Sequence, residues 1–222
     1  MPGRRPRVDN VRRTNAKLRH LVVQIVHPIR CRCGAFEAQI RGPDLATRAV
    51  CYCRDCRAFA YFLELPAGML DSMGGTEVVA VRPRFVSFIR GTENLTCMSL
   101  SEHGTLRWFT RCCKTPIGNT PRDYKRSHAG LIHTCLELGG VSLDESFGAV
   151  VMRINTHSAK GNPAKNSPPV FVWSVLRYLG SMAWSRVSGK YRVNPFFQRD
   201  GAPRVTPRVL TPAEREALFR AV

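Results

Sequence analysis

The sequence predicts a mainly β domain of short antiparallel strands with a small helical C-terminal extension. Three observations carry that expectation. The runs EVVAVRP (77–83), FVSFIRG (85–91), NLTCMSL (94–100) and TLRWFTR (105–111) are short, alternate apolar with polar residues, and are separated by turn formers such as Gly91-Thr92-Glu93-Asn94. Seven of the nine cysteines fall in three tight groups, Cys31/Cys33, Cys51/Cys53/Cys56 and Cys112/Cys113, each beside such a run. After residue 157 the texture changes to a Pro- and Gly-rich stretch, then to apolar residues near helical spacing.

The elements follow in order. Residues 1–20 hold seven Arg or Lys against one Asp and few apolar residues, the composition of a disordered basic arm. LVVQIVHPIR (21–30) is rich in β-branched residues and reads as a strand, with Pro28 near its end or at a sheet edge. Cys31 and Cys33 share one face if the chain there is extended, Gly34 permits a sharp turn, and AFEAQI (35–40) is the returning strand. RGPDLATR (41–48) reads as a loop, and AVCYCRDCRAFAYFLEL (49–65) as strand, knuckle, short helical turn and strand. PAGMLDSMGGTE (66–77) is a Gly-rich connection without a phosphate-loop pattern. HAGLIHTCLELGG (128–140) and FGAVVMRINTH (147–157) read as two more strands; their His133 and His157 are read as packing residues. SAKGNPAKNSPP (158–169) is a linker, and residues 170–190 read as a helix that docks on the β domain, pairs in a dimer or lies at a membrane interface, with docking the preferred reading. Thr211-Pro212-Ala213-Glu214 is a capping box that opens a last short helix. The resulting division is a basic arm over 1–20, a β domain over 21–157, and a linker with a helical extension over 158–222.

Composition narrows the function classes. The 222 residues suffice to bury a core without help from a metal. No apolar run reaches the length of a membrane-spanning helix, and no secretory signal precedes the domain. A cytoplasmic location follows as the expectation, and with it reduced thiols, so clustered cysteines point to metal or catalysis before disulfides. The odd count of nine fits that reading. A net charge of +18 attracts phosphate polymers and anionic metabolites alike, so nucleic acid stands as an alternative partner, although no reader motif appears.

Thiolate ligands at these spacings suit Zn²⁺. In Cys51-x-Cys53-x-x-Cys56 the first pair lies on one strand face and the C-x-x-C half curls around the same ion, giving a three-sulfur site with a fourth position for water, a carbonyl oxygen or an incoming thiolate. Cys113, with or without Cys112, is expected to join Cys31 and Cys33 in a second, closed site; two adjacent residues reach one ion only across a bend. Arg54 and Arg57 flank the three-sulfur motif and are expected to attract an anionic thiol. Cys97 and Cys135 stand alone in apolar runs and read as buried small hydrophobes.

The stretches CRCG (31–34), CYCRDC (51–56) and TRCCKTP (110–116) resemble, in order and spacing, the motifs of the glutathione-dependent formaldehyde-activating enzyme and centromere protein V family. The resemblance covers residues 25–157. It implies a β-tent zinc fold and a structural zinc on Cys31, Cys33 and the third-cluster thiols. It also implies a catalytic zinc on Cys51, Cys53 and Cys56, and carbon–sulfur lyase chemistry joining glutathione, or another small thiol, to formaldehyde. Thr110 stands where that family has its first third-cluster cysteine, so the closed site either uses Cys112 instead or lacks a fourth thiol. The family's Gly after the middle motif is also replaced, by the bulkier CRAFAYF (56–62).

Overall fold

The structure is a computed structural model and describes residues 26–42 and 46–222; the basic arm over 1–20 and the first half of the 21–30 strand lie outside the described residues. The chain is mainly β. Strands β1 (Val26–Arg30), β2 (Glu37–Arg41) and β5 (Val86–Arg90) form a three-stranded antiparallel sheet in the order β1-β2-β5. The larger sheet has eight strands: β3 (Thr47–Cys51), β4 (Thr76–Val81), β6 (Leu95–Ser99), β7 (Leu106–Thr110), β8 (Pro116–Thr120), β9 (Ala129–Ile132), β10 (Val150–Ile154) and β11 (Arg208–Val209). Its order is β10-β3-β4-β9-β8-β7-β6-β11, antiparallel except for the outermost pairs β10·β3 and β11·β6. The described residues also form five α-helices: α1 (Arg54–Phe62), α2 (Pro66–Met69), α3 (Leu143–Phe147), α4 (Pro168–Val187) and α5 (Pro212–Arg220).

The large sheet is covered on both faces, and its residues divide between two cores. Val79, Leu95, Trp108 and Leu131 point toward the small sheet, where Ile29, Phe36 and Ile40 meet them. The other face carries Met98 and Ile132 against Phe59, Leu63 and Met69 of the α1–α2 segment. A strand buried on both sides loses the apolar–polar alternation of a half-exposed one, and β9 is accordingly buried at all four positions. β1 is an edge strand of the small sheet, alternates exposed with buried residues, and carries Pro28 where a missing N–H is tolerated.

Several boundaries differ from the sequence expectation, each for a physical reason. The second strand expected before residue 65 is the helix α1. Cys56, Phe59, Ala60 and Leu63 fall on one helical face, and burying that face on the sheet outweighs the β preference of the aromatics. PIGNT (116–120) contains Pro and Gly and carries no strand signal, yet it forms β8. Its Gly118 permits close pairing: a Cβ there would lie 2.9 Å from the Gly130 carbonyl oxygen of β9. The 128–140 strand stops at Ile132 and gives way to a 3-10 turn over His133–Cys135. The 158–222 segment is built into the domain rather than appended to it. Phe196 and Phe197 enter the inter-sheet core, Leu210 enters the α1 core, and β11 extends the sheet. The capping box at Thr211 and Glu214 forms as expected.

Candidate metal centres

The structure gathers the clustered cysteines into two groups: Cys31, Cys33, Cys112 and Cys113, and Cys51, Cys53 and Cys56. Within each, the sulfurs lie within 4.8 Å of one another. All nine cysteines are free thiols.

The four-sulfur group joins two turns. Cys31 ends β1 and Cys33 sits in the β1–β2 turn, which Gly34 closes at φ +72° with its N–H on the Cys31 carbonyl. The pair therefore converges through a turn, not through the shared face of an extended strand. Cys112 and Cys113 occupy the turn after β7, where Lys114 takes φ +55° and its N–H bonds back to the Thr110 carbonyl. That reversal aims both adjacent thiols to one side. The sulfur separations are 3.5 Å for Cys31–Cys33, 3.9 Å for Cys31–Cys112, 3.3 Å for Cys33–Cys112 and 3.8 Å for Cys112–Cys113. A tetrahedral ion with metal–sulfur bonds of about 2.3 Å requires sulfur–sulfur edges of about 3.8 Å, so the donor set fits one. Cys112 thus supplies the fourth thiol in place of Thr110. Thr110 remains beside the group as a hydrogen-bond partner of Cys113 at 3.4 Å, with Thr115 at 3.1 Å. The Phe36 N–H points at Cys31 Sγ from 3.2 Å. Burial works against ionisation of Cys113, but the two threonine hydroxyls outweigh it and hold this thiol low; burial and Cys33 push Cys112 up.

The three-sulfur group is made locally. Cys51 closes β3, Cys53 is the N-cap of α1, and Cys56 lies in its first turn with its N–H on the Cys53 carbonyl. The N-terminus of α1 directs its free N–H groups and the positive end of its dipole at these sulfurs. Three further residues, none marked by a sequence motif, adjoin the group. Arg107 of β7 is buried and brings Nη1 to 3.9 Å from Cys56 Sγ, with the Asp55 carboxylate also 3.9 Å away. Asn155, just past β10 and at φ +55°, donates Nδ2–H to Cys51 Sγ at 3.5 Å. Thr76 faces Cys51 across the β3–β4 pair, and among the described residues its buried hydroxyl has no hydrogen-bond partner. All three thiols are pushed up: Cys51 first by its bond with Cys53, Cys56 first by its bond with Cys51, and Cys53 by Cys56 and burial against the lowering bond from Cys51. Such a cluster ionises fully only with a cation among the sulfurs.

The two arginines expected to receive an anionic thiol have other partners. Arg57 is buried, and its Nη1 donates to the Tyr52 and Ser158 carbonyls, both at 2.7 Å. Arg54 donates to the Phe219 carbonyl at 2.7 Å and stacks over the Phe219 ring at 4.4 Å, clamping α5 to α1. Both side chains are thus anchored within the protein, on backbone carbonyls and, for Arg54, an aromatic ring. Arg107 is the cation at the sulfurs. His133 holds the Glu77 carbonyl at 3.2 Å and His157 is exposed; neither joins a cysteine group. Cys97 and Cys135 are buried, and burial pushes both up to about 12. A groove of about 490 Å³, lined by His103, Asn119, Arg122, Asp123, Arg126 and His128 among others, includes none of the seven clustered cysteines.

Comparison with known proteins places the chain in a family. A model described as a family of unknown function (DUF6151) matches residues 23–206, and the chain belongs to that family. No curated protein matches it. A crystal structure of a Rhodobacter sphaeroides protein from structural genomics is 25% identical, over 57% of this chain and 98% of that chain, with a TM-score of 0.38.

Proposed function

We propose that the protein is a zinc-dependent carbon–sulfur lyase-like enzyme acting on an adduct of a small thiol and an aldehyde, with glutathione and formaldehyde as the type pair. The observation that carries this reading is the unequal donor count: one cysteine group offers four sulfurs, and the other offers three beside a buried cation. The motif resemblance to the glutathione-dependent formaldehyde-activating family supports the same chemistry. Zinc bound by three sulfurs supplies Lewis acidity and lowers the pKa of a thiol at its fourth position.

The chain's residues have distinct roles. Cys51 and Cys56 are buried and fix the geometry, while Cys53 is partly exposed and marks the side from which a substrate arrives. Three thiolates with a divalent ion carry one net negative charge, which Arg107 offsets. Asn155 orients Cys51, and the Thr76 hydroxyl is a polar group available to a bound oxygen. In the reaction the thiol gives up its proton, its sulfur forms a bond to the aldehyde carbon, and the carbonyl π pair moves to oxygen, which takes a proton; the reverse breaks the carbon–sulfur bond. Reduced thiols are required throughout, in keeping with a cytoplasmic setting.

A second reading is a non-catalytic zinc-binding module. The burial of Cys51 and Cys56 favours it, since two of the three sulfurs are closed to solvent. Both readings are tested by following adduct formation from labelled formaldehyde and a panel of thiols by NMR, with zinc-loaded protein and with Cys53→Ser. The enzymatic reading expects thiol-dependent acceleration that Cys53→Ser removes. Zinc-loaded protein that leaves every thiol at its uncatalysed rate contradicts it.

A further inference from the structure

The inward side of helix α4 is mixed: Ser174 and Ser185 are buried, Phe171, Val175, Tyr178 and Met182 are half-buried, and Arg82 reaches out of the β domain to the Tyr178 carbonyl at 2.9 Å and to the Ser181 hydroxyl. The Tyr178 hydroxyl bonds His128, and the Arg82 guanidinium stacks over the Tyr178 ring at 4.4 Å. A second, wholly apolar side faces away. Trp173, Leu176, Leu179, Trp184 and Val187 are 66%, 58%, 54%, 59% and 82% exposed. At about 100° per residue, Trp173 and Trp184 fall roughly 20° apart on the helix circumference. Together with Val172 and Ala183 these residues sweep an arc of about 140° that contains no polar side chain. Arg186 lies at one edge of the arc, with Lys190 and Arg192 just beyond the helix end, while Arg177 at the other edge is held on the Ala46 carbonyl and the Thr47 hydroxyl at 3.5 Å. From Ser146 to Arg199 the chain has eight Lys or Arg and no Asp or Glu.

We propose that this face of α4 docks on the surface of an anionic lipid bilayer, lying in the headgroup plane. Apolar and indole side chains beside Arg186, Lys190 and Arg192 match that interface, where the rings and aliphatic chains leave water and the basic groups meet phosphate. No helix among the described residues is long and apolar enough to cross a membrane, so the contact is a surface one. Charge selects this occupant over a second copy of the chain: two copies packed through α4 would each bring arginine edges and a net charge of +18 to the same seam.

The test uses the full chain and phosphatidylcholine vesicles with and without phosphatidylglycerol. Sedimentation is expected with the anionic vesicles and not with the neutral ones, weakening as salt is raised. Tryptophan emission should shift to the blue on binding, reporting Trp173 and Trp184, because Trp108 is already buried. Arg186→Gln with Lys190→Gln should lower the anionic-vesicle affinity roughly thirtyfold, at about one kcal/mol for each charge. Leu176→Ser with Leu179→Ser should abolish binding, and unchanged thermal unfolding of this variant shows that the fold is intact. Equal sedimentation with both vesicle types, or with neither, overturns the proposal. So does a stable dimer in sedimentation velocity that shields both indoles from a quencher, since the face then belongs to a second copy.

Discussion

The two cysteine groups differ in opposite senses. The group with four sulfurs is the more open to solvent: Cys33 and Cys112 are exposed and Cys113 is partly so, leaving Cys31 alone buried. The group with three sulfurs is the more enclosed, with Cys51 and Cys56 buried and Cys53 partly exposed. Donor number and solvent access are therefore separate properties. The four-sulfur group sits where two turns from distant parts of the chain meet, and its role is to tie the β1–β2 hairpin to the β7–β8 turn. The three-sulfur group lies at a strand end and a helix N-terminus, between the buried Arg107 and Asn155. On the proposed reading, the first group is the structural tie and the second is the site whose charge Arg107 tunes.

If so, the largest effect comes from breaking the tie. Cys31→Ser removes the buried sulfur of the four-sulfur group and should release one metal ion per chain. We expect a loss of about 4 kcal/mol and roughly 10 °C in Tm at this chain length, read by thermal unfolding with metal analysis. Cys53→Ser should leave Tm within a few degrees while lowering metal affinity at the three-sulfur group and removing thiol-dependent turnover. Equal destabilisation by the two substitutions would erase the distinction.

Arg107→Gln probes the tuning role. Removing the buried cation should cut metal affinity at the three-sulfur group by about 10–100-fold, the usual range for groups that act through a ligand. Competition with a chromogenic chelator measures it, and the four-sulfur group should not change. Acid sharpens the contrast, because a second process must be separated from metal release. Burial, helped by the Arg82 charge, lowers His128 to about 4 from an ordinary value near 6.5. The fold favours neutral His128, so its stabilising contribution is complete above pH 6.5 and is lost as the pH falls toward 4, with roughly 3 kcal/mol as the upper limit. His128→Gln should flatten that part of the stability–pH curve in urea titrations. Asn155→Ala should give the smallest effect, up to about tenfold in metal affinity at the three-sulfur group, with Tm barely moved.

Much of the candidate site was legible in the sequence because ligand spacing is local chemistry. Cys51-x-Cys53-x-x-Cys56 meets in space for the reason its spacing implies, and the bend needed to bring Cys112 and Cys113 to one side is there. What pairs with what across the chain was harder. Cys112 replaces Thr110 as a donor through a turn whose left-handed Lys114 carries no sequence signal. Arg107 sits in an alternating run, where an inward arginine looks the same as an outward one. The anchors of Arg54 and Arg57 were hidden as well, because proximity in sequence to a cysteine motif says nothing of where a long side chain is held. The strands of the large sheet were legible where one face alternated. The α1 segment was not, because its apolar spacing suits both a strand and a helix until the sheet it covers is known. The orientation of α4 was also hidden. Its apolar arc predicts burial on the β domain, whereas Arg82 and His128 hold the opposite side.

The most direct test is the sulfur count at each ion, by X-ray absorption on the metal-loaded protein and on Cys31→Ser. Two zinc ions per chain sharing seven sulfurs, with the variant retaining one ion of three sulfurs and a lighter donor, is the predicted result. A single ion per chain, or a retained ion with four sulfur neighbours, would contradict it.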